Sequence, residues 1–430
     1  KSSSMKTIIK LLLASFTILS SCTLDPIEPV SVVIEEPIPV PIPIPVPDPL
    51  VTIPPSGLIP CADGQAGVYP CLGYDLQALV SLETMDASSG NDSWGWTDTL
   101  TGKEYALMGV NDGTAFVDIS TPDQPIYLGK LPTTSDSSTW RDIKVYQDYA
   151  YVVSEAADHG LQVFDLTRLR DITRVTRFTA DARLNSFGNA HNIAINESSG
   201  FAYVIGSELF DGGPAFIDIN DPLNPTLVGG FSDESYSHDA HIVTYDGPDL
   251  EHQGKEIYFG SNSDAGENNQ VVIVDVTNKT APILISNITY SNGGYTHQGW
   301  LAEDHQYYYL GDELDEIRFG NRSKTLVFNL EDLDNPVLHY SYLGTTNAID
   351  HNGYTKGNSF FLANYTAGIR EIDIQNVATG IMEEVGFFDT YPINNGTNFN
   401  GVWSVYPYFE SGVIVISDSN SGLFLVKASE

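Results

Sequence analysis

Between residues 58 and 430 the chain alternates short apolar runs with turn-forming residues, and no stretch keeps a helical period. One segment shows the pattern. Residues 191–195 alternate as a short strand, and residues 196–200 form an Asn/Ser/Gly turn. Residues 201–205 make a second strand, followed by a loop through Asp211, Gly212 and Gly213. Residues 214–219 make a third strand, 220–225 a proline-punctuated turn, and 226–231 a fourth strand. Four short strands joined by turns constitute one propeller blade.

The third strand recurs along the chain. It reads Thr114-Ala-Phe-Val-Asp-Ile119, Leu161-Gln-Val-Phe-Asp-Leu166, Pro214-Ala-Phe-Ile-Asp-Ile219 and Val271-Val-Ile-Val-Asp-Val276. It returns as Thr325-Leu-Val-Phe-Asn-Leu330, Ile369-Arg-Glu-Ile-Asp-Ile374 and the degraded Leu423-Phe-Leu-Val-Lys-Ala428. The starts lie 47, 53, 57, 54, 44 and 54 residues apart, a period that indicates a propeller or a solenoid. The last copy has no fourth strand after it, and residues 79–84 resemble the fourth strand at 126–130. The expected fold is therefore all-β: a seven-bladed propeller of four-stranded antiparallel blades, closed by an N-terminal strand. Closure removes exposed sheet edges. Blades are expected to start near Trp94, Trp140, His191, His238, His297, His351 and Trp403. The repeated Asp118, Asp165, Asp218, Asp275 and Asp373 precede turns, where a carboxylate accepts turn amides; repetition at five positions argues against catalysis.

The N-terminal region has a different composition. Residues 1–4 precede Met5 and read as an upstream extension. Lys6 and Lys10 lead a short apolar core at 11–19, as in an export signal. Leu19-Ser-Ser-Cys22 resembles a bacterial lipobox, which implies cleavage before Cys22 and lipid on that cysteine. An ordinary secretory signal cut nearby is the alternative. The expected organisation is a lipoprotein signal peptide at 1–22, a Pro-rich tether at 23–57 and a propeller at 58–430. The proline alternation over 37–49 reads as an extended polyproline II spacer of roughly 3 Å per residue. Cys61 and Cys71, an even pair in an exported chain, read as a disulfide.

Charge narrows the partners. The formal net charge is −36, and removal of the signal takes three lysines and no acids. Such a surface repels nucleic acid and anionic lipid and attracts cations. The chain has no His-Glu-x-x-His motif, nucleophile elbow or phosphate loop.

Several motifs taken together resemble the choice-of-anchor B family of LVIVD-repeat proteins over most of residues 61–427. They are Tyr69-Pro-Cys71, Trp94-Gly-Trp-Thr-Asp98, Trp140-Arg-Asp-Ile143, His238-Asp-Ala-His241, Tyr295-Thr-His-Gln-Gly-Trp300, Asp312-Glu-Leu-Asp-Glu316 and Ala348-Ile-Asp-His-Asn352. The resemblance implies a surface propeller, here anchored by the N-terminal lipid, and it implies no particular reaction.

The propeller register places a candidate site. His191, His238, His241, His297 and His351 fall at the starts of innermost strands, expected at one mouth of the channel. Arg141, Asp142, Asn192, Asp239, Gln298, Asp350 and Asn352 stand beside them. Loops after the second strands should bring Glu155, His159, Glu208, Asp264, Glu267, Asp312, Glu313, Asp315, Glu316 and Asp418 to the same face.

Three readings of this funnel compete: a structural polar ring, a site for a metal or small polar ligand, and a hydrolase or lyase with a histidine base. The expected ligand contacts are Arg141, Asp142, His191, His238, Asp239, His241, His297, Asp350 and His351. The expected metal ligands are His191, His241, His297, His351, Asp312 and Asp315, for calcium or a transition metal. The acids of 312–316 could hold calcium with Asn262, Asp264 and Glu267, pair with Arg318 or Arg322, or simply be solvated; their spacing is not that of an EF-hand. The leading expectation is a lipid-anchored module of the bacterial envelope, at the outer membrane, that binds an envelope protein or a small polar ligand through the channel mouth. The alternative is a metal-dependent envelope hydrolase or lyase.

Overall fold

The computed structural model describes residues 51–52 and 58–430. The signal and the polyproline stretch lie outside these residues. Seven four-stranded antiparallel blades follow one another along the chain, with strands in order from the channel outward, and short added strands extend the sheets of the first and sixth blades to six. The blade read from sequence at 191–231 comprises Asn192–Asn196, Phe201–Ile205, Ala215–Asp218 and Thr226–Gly230. The innermost strands of the seven blades are Gly90–Thr97, Arg141–Tyr146, Asn192–Asn196, Ser237–Thr244, Thr296–Leu301, Gly353–Lys356 and Val402–Tyr406.

The repeated phrase is apolar at successive positions because the third strand is buried on both faces. Ala115 and Val117 pack toward the seventh blade, while Phe116 packs toward the second. Ala215 and Ile217 pack toward the second blade, and Phe216 toward the fourth. The core is thus seven apolar layers, one between each pair of blades, rather than a single centre. The aspartates end these strands as turn acceptors. Asp118, Asp165, Asp218, Asp275 and Asp373 each accept from the amide two residues on, at 2.8–3.0 Å.

The ring closes as expected, with the closing strand a few residues earlier than residues 79–84. Tyr74–Ser81 pairs with Gly422–Ala428 and completes the seventh blade. Immediately upstream, Tyr69–Leu72 adds to the outer edge of the sixth blade through Cys71 and Phe388. Cys61 and Cys71 form the disulfide. Val51–Thr52 pairs with the outer strand of the first blade at Tyr127 and Ile126.

Candidate functional site

The innermost strands begin irregularly, and that aims side chains into the channel. The register shifts at Ser237/Asp239 and again at Thr296/Gln298, leaving His238 and His297 as the extra residues. A bulge of this kind re-aims the residue it ejects from the ladder. His191 and His351 sit just before their strands, held by amide bonds to Ile205 and Ala363 carbonyls. The four imidazoles of His191, His238, His297 and His351 form a row with centroid spacings of 4.1, 4.3 and 4.3 Å.

This row is tied to the framework. His238 Nδ1 donates to the His297 carbonyl at 3.1 Å, and His351 Nδ1 to the Trp403 carbonyl at 2.5 Å. Asn192 donates to the His238 carbonyl, and Gln298 exchanges two bonds with Gly353. The polar starts therefore clasp one blade to the next. Among the described residues, two loop acids reach the row. Glu155 meets His191 Nδ1 at 2.5 Å, and Glu313 stands 3.8 Å from both His297 Nε2 and His351 Nε2. Tyr365 donates to Glu313 at 2.9 Å. Burial keeps His238 and His297 neutral, well below the usual imidazole range, and brings His351 down to about 3. Burial lifts Glu313 to about 7. With Nδ1 of His351 donating, its Nε2 carries the lone pair toward Glu313. His297, His351 and Glu313 could together hold a transition metal as three protein ligands.

Several expected members of the site lie elsewhere, among them His241, Arg141 and Asp350. His241 is three residues beyond His238, roughly 10 Å along an extended strand, and faces the other half of the channel. It stacks flat on Trp300 at 3.7 Å and accepts from the Leu301 amide. Arg141 points between the first two blades, donating to the Val110 carbonyl and meeting His159 Nε2 at 2.9 Å. Asp350 is fully buried between the fifth and sixth blades, with Glu316 and Asp315.

The acids of 312–316 are neither solvated nor paired with arginine. Asp312 accepts from the Gly294 and Tyr295 amides and from Tyr290, which occupies it structurally. Asp315 pairs with Lys324, and Arg318 turns away to the Gly266 carbonyl. Asp264 and Glu267 are exposed at that neighbouring loop, and Asn262 is buried accepting from Ser237.

The half of the channel holding His241 contains a cavity of about 350 Å³. Trp94, Trp300, Tyr354 and His241 wall it, with Asp239, Lys144 and Glu197 as its charged groups. Lys144 lies 4.7 Å over the Trp94 ring and bonds Asp142 at 2.6 Å and Asp92 at 3.3 Å. Asp142 also accepts from the Ile193 amide in the next blade. Burial and the neighbouring Asp142 raise Asp239 to about 7. Burial brings His241 down to about 3.

Reading only the strand starts misses Lys144, Trp300 and Tyr354. The two-residue period of a strand contains the signal: Asp92 with Trp94, Asp142 with Lys144, Asp239 with His241 and Gln298 with Trp300 share faces.

Comparisons place the architecture among known proteins. The LVIVD repeat family matches residues 139–166 and 265–289, which contain the third strands of the second and fourth blades. No curated protein matches. A Lactobacillus plantarum protein of solved structure is similar at 15% identity and TM-score 0.52, covering 78% of this chain and 91% of its own. The Cps50 (Swd1) β-propeller domain of Myceliophteria thermophila is similar at 11% identity and TM-score 0.50, covering 83% of this chain and 100% of its own. At such identities the likeness concerns the fold alone. The chain is a seven-bladed β-propeller that carries LVIVD repeats.

Proposed function

We propose that this protein is a binding module of the bacterial cell envelope, carried by lipid on Cys22. It captures a small polar ligand, or a polar side chain of an envelope partner, in the aromatic half of its channel. The observation that carries this reading is the cavity walled by Trp94, Trp300 and Tyr354 with Asp239 and Lys144 inside it. Aromatic walls with a few convergent polar groups are the usual composition of a ligand pocket. The lipobox at Leu19-Ser-Ser-Cys22 and the preceding apolar core support export and anchoring at the outer membrane.

Tryptophan emission reports the site directly. Neutral sugars, amino sugars and amino acids form the probe set. A saturable change with one of them, weakened at least tenfold by Asp239→Asn, supports the reading. A flat response, together with no reproducible partner recovered from solubilised envelope, overturns it. A lipidated N-terminal peptide beginning at Cys22 is the expected mass-spectrometric result for the anchor.

A second reading rests on His297, Glu313 and His351. These groups favour a transition metal and, with it, a metal-dependent hydrolase or lyase at the opposite half of the channel. Elemental analysis of purified protein, wild type against His297→Ala, separates the readings. Stoichiometric metal lost in the variant favours the enzyme, and metal-free wild type with unchanged stability in chelator removes it.

A further inference from the structure

The acids at Asp315, Glu316 and Asp350 come from two blades and meet where water does not reach. Asp315 and Glu316 open the short helix Asp315–Phe319 after the second strand of the fifth blade. Asp350 directly precedes the His351 start of the sixth blade. All three are buried, Asp350 and Asp315 completely and Glu316 to 3% exposure. One carboxylate oxygen from each lies within 4.8 Å of the others.

Their hydrogen bonding is incomplete. Both oxygens of Asp350, both of Glu316 and Oδ1 of Asp315 are buried without a partner. A buried charge without a partner is costly, and each unpartnered group requires an explanation. Lys324 and Asn321 satisfy only Oδ2 of Asp315. A single ammonium therefore faces three carboxylates. Burial, with mutual repulsion, raises all three carboxyls, Glu316 to about 9.

The surroundings fit a cradle. A Cβ at Gly311 would sit 2.7 Å from Asp350 Oδ2, so the strand leaves that space to the carboxylate. Thr325 is paired in register with Gly311, and opposite residues in a ladder share a face. Its Oγ1 is also buried without a partner.

We propose that Asp315, Glu316 and Asp350 form a calcium site that staples the fifth blade to the sixth, with Thr325 Oγ1 as a neutral ligand. Calcium takes carboxylate and neutral oxygens at roughly 2.3–2.6 Å, so opposed ligands stand roughly 4.6–5.2 Å apart. The spread of the three carboxylates matches that geometry. A dication supplies the charge that Lys324 alone does not. The oxygens favour a hard cation over the softer metals suited to the imidazole row. The site holds Asp350 and therefore bears on His351 beside it, with no role in the aromatic cavity.

The test uses the full chain in detergent, stripped with EGTA and returned to calcium at pH 7.5. We expect one calcium per chain by equilibrium dialysis. Calcium at a hundredfold its Kd should raise Tm by about 3 °C. Glu316→Gln with Asp350→Asn should abolish both. If that variant does not fold, Thr325→Val keeps every charge and should weaken calcium binding several-fold. Absence of bound calcium at millimolar concentration overturns the proposal. So does an equal Tm shift with sodium chloride at matched ionic strength.

Discussion

The two halves of the channel use the same parts differently. Where the innermost strands begin, His238 and His351 spend Nδ1 on carbonyls of the following blade, and four imidazoles stand in a row, each tilted 40–50° to the next. Further along, His241 stacks on Trp300 and leaves a cavity of about 350 Å³ beside it. Polar residues of both halves bond the next blade, Asp142 and His241 included, but only those of the second half border open space. Histidine identity alone does not separate these roles; the main-chain atom each ring bonds does.

The largest expected contrast is in stability. His238→Ala breaks the imidazole row and frees the His297 carbonyl, and should cost about 2–4 kcal/mol in urea denaturation. His241→Ala removes a ring at the cavity edge and should cost about half as much. Equal costs would erase the distinction between the halves.

Acid sharpens it next. His238, His297 and His351 are held neutral, below their unfolded value of 6.5. Between pH 6.5 and about 3 the unfolded chain binds protons that the fold refuses, so their contribution to stability is lost as pH falls through that window. Asp239 has the opposite sign. Its carboxyl is raised from 3.8 to about 7, so the fold gains stability from it as pH falls through 7 toward 4. Asp239→Asn should therefore stabilise by about 1–2 kcal/mol at pH 8 and by nothing near pH 4, read from denaturation midpoints. His297→Phe should instead flatten the acid loss between pH 6.5 and 4.

The smallest effect is a control for both halves. Asp218→Ala removes an acceptor for the Asn220 amide at the far end of a third strand. It should cost about 1 kcal/mol and leave both the pH slopes and ligand-induced fluorescence unchanged.

The architecture was legible because it is periodic. Seven copies of one strand set the register, and the turn residues around Asp218 and Asp275 announce their hydrogen bonds locally. The closing strand was legible because the last copy lacks a neighbour, although the strand itself lies a few residues before 79–84. The site was legible only in part. His238 and His297 sit at bulges, which a strand pattern does not mark, so counting from strand starts carried His241 to the wrong half. Arg141 points between blades as strand parity beside Asp142 dictates, and Asp350 does so from the irregular segment ahead of Gly353–Lys356. Glu313 approaches His297 of its own blade, 16 residues upstream, and His351 of the next, 38 residues downstream. The blade register puts Glu313 on that face, and only the assembled ring brings it between the two imidazoles.

The closure of the ring also sets an order of events. Tyr74–Ser81 is made early, yet its partner Gly422–Ala428 follows more than three hundred residues later. Until then the strand has nothing to pair with, and the seventh blade cannot form. Pairing across so long a separation carries a large loop-closure penalty and is slow. The first six blades can assemble while the chain is still being made, but the channel acquires its full wall, and with it either half's chemistry, only at the final step. An interrupted chain would thus be an open arc with unpaired edges rather than a smaller working ring.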